Sequence, residues 1–164
     1  MENPADLDLT KEEKSGRRKL VRCIREQYGD TLRLSFKTIR QEDYDKKPQS
    51  AVISCIYRTD TEPHPTTWFT SVDMIRLVEY IVQDHFNTDE KGRIRRNLES
   101  LAPTTISKST KETKAFFEVL MNFSAPMPRV IEKDIKVFKW ADLPLGLKKI
   151  MEKYVRLVGF HVSA

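Results

Sequence analysis

No run of about 18 apolar residues occurs in this 164-residue chain, so no membrane-spanning helix is expected. No apolar signal segment follows Met1. The chain opens with MENPADLDLTKEEK, and residues 1–9 read as a disordered N-terminus. Cysteine is scarce. Cys23 and Cys55 are far apart and sit in apolar-periodic stretches, which reads as buried free thiols in a reducing compartment. His64, His85 and His161 are scattered, and no Cys or His stands at metal-ligand spacing. No metal or other cofactor is therefore expected. The nucleotide-binding GxxxxGKS/T, the hydrolase GxSxG and the metalloprotease HExxH are all missing. The acidic residues Asp60, Glu62, Asp73 and Glu79 form no recognisable catalytic pair. These absences lead away from an enzyme and from a small-molecule substrate.

What is present is charge. The chain carries 29 Lys and Arg against 24 Asp and Glu, a net +5, with a pI of about 9.2. That balance permits contact with nucleic acid without requiring it. Apolar residues make up 39%, too many for full disorder. The length fits one domain, placed at residues 10–159, with 160–164 as a C-terminal tail.

The segment from Thr70 to Leu101 organises the reading. Val72, Ile75, Val78 and Val82 recur at helical spacing, widened by Leu77 and Ile81. Thr70 or Ser71 caps this helix. Asn87 or Thr88 caps a second one, with Glu90 three residues after Asn87. Only His85 and Phe86 separate them, which gives the outline of a helix-turn-helix. Ile94, Leu98 and Leu101 of the second helix face a core. His85, ending the first helix, is expected to meet its last carbonyls.

Around this pair the pattern predicts an α+β fold. A small antiparallel sheet of about three strands packs with four to five helices, including the helix-turn-helix-like pair. The first helix runs from Lys11 to Tyr28, capped by Thr10 and Glu13, with Leu20, Val21, Ile24 and Tyr28 inward. After the Gly29-Asp30 turn, Thr31 to Lys37 alternates as a half-buried strand. Ala51 to Tyr57 is an almost continuously apolar central strand, and Thr66 to Thr70 a third, making a meander the simplest topology. Pro103 to Lys108 reads as irregular. Ser109 and Glu112 cap a helix through Phe123. Val130 to Trp140 contains a short strand or arm. Asp142 caps a last helix that Gly159 stops.

Several of these segments resemble the conserved domain of the fungal Medusa-type developmental regulators. The matching residues are KGRIRRNLESL (Lys91 to Leu101), ISKS (Ile106 to Ser109), FFEVLMNF (Phe116 to Phe123), PMPRVIEKDIKVFKW (Pro126 to Trp140) and LKKIMEKY (Leu147 to Tyr154). Weaker echoes extend the resemblance over roughly Arg17 to Tyr154. It implies a nuclear regulator of transcription in fungal development. It implies no mechanism.

The residues themselves suggest one. Lys91, Arg93, Arg95 and Arg96 form a basic flank opposite Ile94 and Leu98, suited to phosphate or guanine. Arg17, Arg18, Lys19 and Arg22 could add phosphate contacts from the first helix. The partner these residues point to is DNA. The opposing reading is a solvated face, with Arg95 and Arg96 paired to Glu99, Glu90 or Asp89 along the helix. The alternative function is a protein–protein interaction module of a transcription complex. It would dock through an apolar patch from Trp68, Phe138, Trp140 and the Pro126 to Pro128 connector.

Overall fold

The computed structural model describes residues 17–45, 51–58, 66–130, 133–154 and 160–163. The expected N-terminal disorder and the Thr10–Glu13 cap lie outside them, as does Gly159. In chain order the strands are β1 (Arg18–Tyr28), β2 (Thr31–Ile39), β3 (Ala51–Arg58) and β4 (Thr66–Thr70), followed by helices α1 (Ser71–Val82) and α2 (Thr88–Leu98). Then come β5 (Thr104–Ile106), α3 (Lys114–Met121), β6 (Ile135–Lys139), α4 (Leu143–Tyr154) and β7 (Phe160–Ser163). All seven strands join one sheet in the order β5-β6-β4-β3-β1-β2-β7. Its first six strands pair antiparallel, and β7 pairs parallel with β2 at the edge.

The fold is α+β, but the sheet is far larger than about three strands. The largest correction is β1, expected as part of a helix. Leu20, Val21 and Cys23 are all buried because β1 is central, flanked by β2 and β3 with elements over it. A strand buried on both faces shows no clean alternation, and its near-continuous apolar run imitates a helical stripe. Gly29-Asp30 closes the β1–β2 hairpin directly, with Tyr28 opposite Thr31. Gly29 takes φ +57°, as the first loop position of a type II′ turn requires. Insertion of β1 between β2 and β3 also overturns the meander. Residues 104–106, expected as irregular, pair with β6, and residues 160–163 form β7 instead of a tail.

The sheet carries a core on each face. One contains Cys23, Leu34, Ile53, Cys55, Phe69 and Phe138 from the strands, packed against α1, α2 and α4. The other contains Ile56, Trp68, Ile135 and Val137 packed against Phe116, Phe117 and Leu120 of α3. Strand β6 divides by pleat: Ile135 and Val137 face α3, whereas Phe138 faces the other core and stacks on Phe69 at 5.2 Å.

The α1 and α2 bounds follow their caps. Thr70 accepts the Asp73 N–H at 3.1 Å, and Asn87 accepts the Glu90 N–H at 2.9 Å. Together they nevertheless do not make a helix-turn-helix. α1 lies on the sheet with most of its length buried, and α2 is seated by Ile94 and Leu98 in the core that α4 completes. The apolar stripes therefore serve the sheet and α4, and no independent two-helix unit stands clear of them. Gly146 of α4 is part of this corner. A Cβ there would lie 3.2 Å from Leu101 Cδ1 and Met74 Cε, and 3.6 Å from Leu98 Cδ2.

The Ser109–Glu112 capping box does not form. Thr113 instead accepts the Ser107 N–H at 3.1 Å and donates to the Ser107 carbonyl at 2.9 Å, and α3 begins at Lys114.

One buried carboxylate joins sheet and helix. β4 leaves β3 after the Ile56–Trp68 pair and turns to β6. Asp73, 1% exposed, takes the vacated ladder position, its Oδ2 accepting the Ser54 N–H at 2.8 Å. Burial pushes its carboxyl up to about 6, opposed by the Ser54 N–H, Arg76 and Arg18. Cys23 and Cys55 are free and buried; desolvation raises both thiols, Cys23 to about 12, which leaves them unreactive.

Candidate nucleic-acid interface

Helix α2 is anchored at both ends of its inner face. Phe86 is buried just before the cap, and its N–H donates to Glu79 Oε2 at 3.1 Å. The same carboxylate lies 3.2 Å from His85 Nδ1, so His85 meets a side chain of α1 and not its terminal carbonyls. Ile94 and Leu98 are 0% exposed. Each buried side chain of this size contributes about 1.5–3 kcal/mol. Asp89 and Glu90 lie in the first turn and Arg95 and Arg96 in the last, the arrangement that a helix dipole favours.

With that face committed inward, Arg93, Arg95 and Arg96 are exposed and Lys91 is half-buried. None of the four has an ion-pair partner among the described residues. The pairing of Arg95 or Arg96 with Glu99 does not occur; Glu99 is held by Lys136 of β6. Arg93 and Arg96, one helical turn apart, border a groove of about 330 Å³ with Asn97 and Lys153. Lys153 Nζ crosses from α4 to donate to Asn97 Oδ1 at 2.8 Å, and Lys149 donates to Ser100 Oγ. Among the described residues no acidic side chain lines the groove. Two guanidinium forks and an ammonium group converging there can donate to several oxygens of one anion.

The first basic cluster has a different fate. Arg18 is 8% exposed. Its Nη1 donates to the Pro126 carbonyl at 2.6 Å, and its Nη2 to Gln41 Oε1 at 2.8 Å and the Ser124 carbonyl at 3.1 Å. Its guanidinium also sits 4.6 Å from the Phe123 ring centroid. Desolvation lowers its pKa, the sign of a cation enclosed by protein. Lys19 is buried as well. Arg22 is half-buried and pairs with Asp45 at 3.4 Å. Arg17 is half-buried at the mouth of β1, where its carbonyl accepts the Tyr57 N–H at 2.8 Å. A central strand distributes its side chains to both sheet faces, so these four do not extend the α2 surface.

Lys149, Lys153 and Asn97 escaped the sequence reading. The only signal for the two lysines was their spacing of four on the polar side of the last helix, which does not reveal which element that side meets. Of the aromatics considered for docking, Trp68, Phe138 and Trp140 are buried in the two cores.

Residues 3–151 match the family model described as a domain of unknown function (DUF7082). The chain belongs to that family. The DUF7082 match spans β1 through most of α4 and so covers both basic clusters, but it carries no activity and does not connect the chain to Medusa-type regulators. No curated protein and no solved structure matches the chain.

Proposed function

We propose that this domain binds DNA through the α2–α4 face, as part of a nuclear regulator of transcription. The observation that carries the reading is the outward set of Arg93, Arg95 and Arg96 beside Lys153, with no ion pair to the arginines among the described residues. Exposed arginines of this kind are free to displace counterions from a phosphate backbone, and the net charge of +5 favours the encounter. The contact is made by the exposed flank of a helix seated on a sheet, with β1 as structural support. The resemblance to fungal developmental regulators adds the transcriptional and nuclear setting.

Fluorescence anisotropy with a random-sequence duplex at two salt concentrations tests this. Wild-type affinity falls steeply with salt. Replacing Arg93, Arg95 and Arg96 with Ala weakens binding and lowers the log–log salt slope by about one for each phosphate no longer neutralised. The circular dichroism melt stays unchanged. Equal affinity of the triple variant and the wild type overturns the proposal.

A further inference from the structure

A second surface lies where the connector after α3 passes Arg76, midway along α1. The connector is strapped down by two arginines. Arg18 holds the Ser124 and Pro126 carbonyls, and Arg76 of α1 donates to the Met127 carbonyl at 2.5 Å. Pro126 and Pro128 are buried, which turns the side chain between them outward: Met127 is 43% exposed, and Val130 is 44% exposed. These two, with Phe117 and Met121 of α3, form the apolar lining of a groove of about 680 Å³.

The remaining lining is cationic: Arg76, Lys108 and Arg129. Two of these are fixed in place. Arg129 donates through Nε to the Leu120 carbonyl at 3.3 Å and through Nη2 to the Met121 carbonyl at 2.7 Å, capping α3. Arg76 is held by Met127 and lies 3.7 Å from Asp73 Oδ1. Lys108 is exposed and has no partner among the described residues. Among the described residues no acidic side chain lines the groove.

We infer that this groove binds a partner protein through a short segment that interleaves acidic and apolar residues. The charge complement is one-sided: Lys108 and Arg129, with Arg76 already 3.7 Å from buried Asp73, meet no lining carboxylate among the described residues, which calls for an acidic ligand. The floor decides the class of ligand. Phosphates gain nothing from Phe117, Met121, Met127 and Val130, whereas apolar side chains do, and the unbranched methionines adapt to several shapes. Arg76 and Arg129 are already oriented by backbone carbonyls, so little side-chain freedom is lost when a carboxylate docks.

The test uses the full chain and a fluorescein-labelled peptide in which Asp alternates with Leu and Phe. It binds saturably to wild type. Lys108→Glu and the double substitution Met127→Ser with Val130→Ser each weaken it about ten-fold or more. These side chains are exposed, so the folded state tolerates both changes, as a melt verifies. Replacing Arg93 and Arg96 with Ala leaves peptide affinity unchanged. Four outcomes overturn the inference: no saturable binding, equal binding of an Asp/Ser peptide, weakening that follows the α2 arginines, or groove substitutions that weaken duplex DNA as much as peptide.

Discussion

Arg18 and Arg96 carry the same guanidinium in opposite surroundings. Arg18 is enclosed by Phe123, Gln41 and two backbone carbonyls of the connector, and its work is to hold that connector on the sheet. Arg96 stands on the outer flank of α2 with no ion pair to answer it among the described residues. Both lie in short basic runs beside branched apolar residues. What separates them is the element beneath. The start of β1 is covered on both faces and leaves Arg18 no route to solvent, whereas an amphipathic helix always keeps an outer face. Charge density along a sequence therefore says little about availability to a ligand until the secondary structure under it is known.

Three measurements sharpen or break this contrast. The largest effect is expected at Arg18. Arg18→Ala leaves the Pro126 and Ser124 carbonyls without their donor and removes the cover over Phe123, at a cost of about 2–4 kcal/mol in urea unfolding. A change below about 0.5 kcal/mol, the range typical of surface sites, would erase the distinction.

Next comes Asp73, the carboxylate near both Arg18 and Arg76. Its folded pKa, about 6, lies above the ordinary 3.8, so the native state holds a proton that the unfolded chain has released between those values. Its contribution to stability is fully present below the unfolded pKa and is lost as pH rises through about 6. Stability relative to Asp73→Asn accordingly falls between about pH 4 and 6, by on the order of 2 kcal/mol, and levels off above that. A flat difference across that window, followed by chemical denaturation, would mean that the neighbouring arginines already offset the burial.

The smallest effect belongs to Arg96. Arg96→Ala is expected to change stability by no more than about 0.5 kcal/mol while weakening duplex binding. A destabilisation matching that of Arg18→Ala would make α2's arginines structural as well.

Elements with local punctuation were legible in the sequence. Thr70 and Asn87 cap their helices with their own side chains, so the starts of α1 and α2 could be read from adjacent residues. The alternation of Leu32, Leu34 and Phe36 likewise places β2. β1 was not legible because its burial depends on partners distant in the chain, and because Arg and Lys have good helix propensity that tertiary context overrides. The hairpin signal was present in Gly29-Asp30, a two-residue loop that demands a strand on each side. For the candidate site, the outward face of α2 followed from Ile94 and Leu98. Its companions on α4 did not, since nothing near Lys149 or Lys153 records which helix they will meet. The Met127 groove was only half visible: the connector was noticed for its prolines, but Arg76, Lys108 and Arg129 converge on it from three separate segments.

Gly146 backs the basic face from inside the protein. Its missing side chain leaves room for the ends of Leu98, Leu101 and Met74, which a Cβ would meet at 3.2–3.6 Å. Alanine here asks only those flexible ends to give by a few tenths of an ångström, so the seam beneath the lysines has a little slack and not a rigid stop.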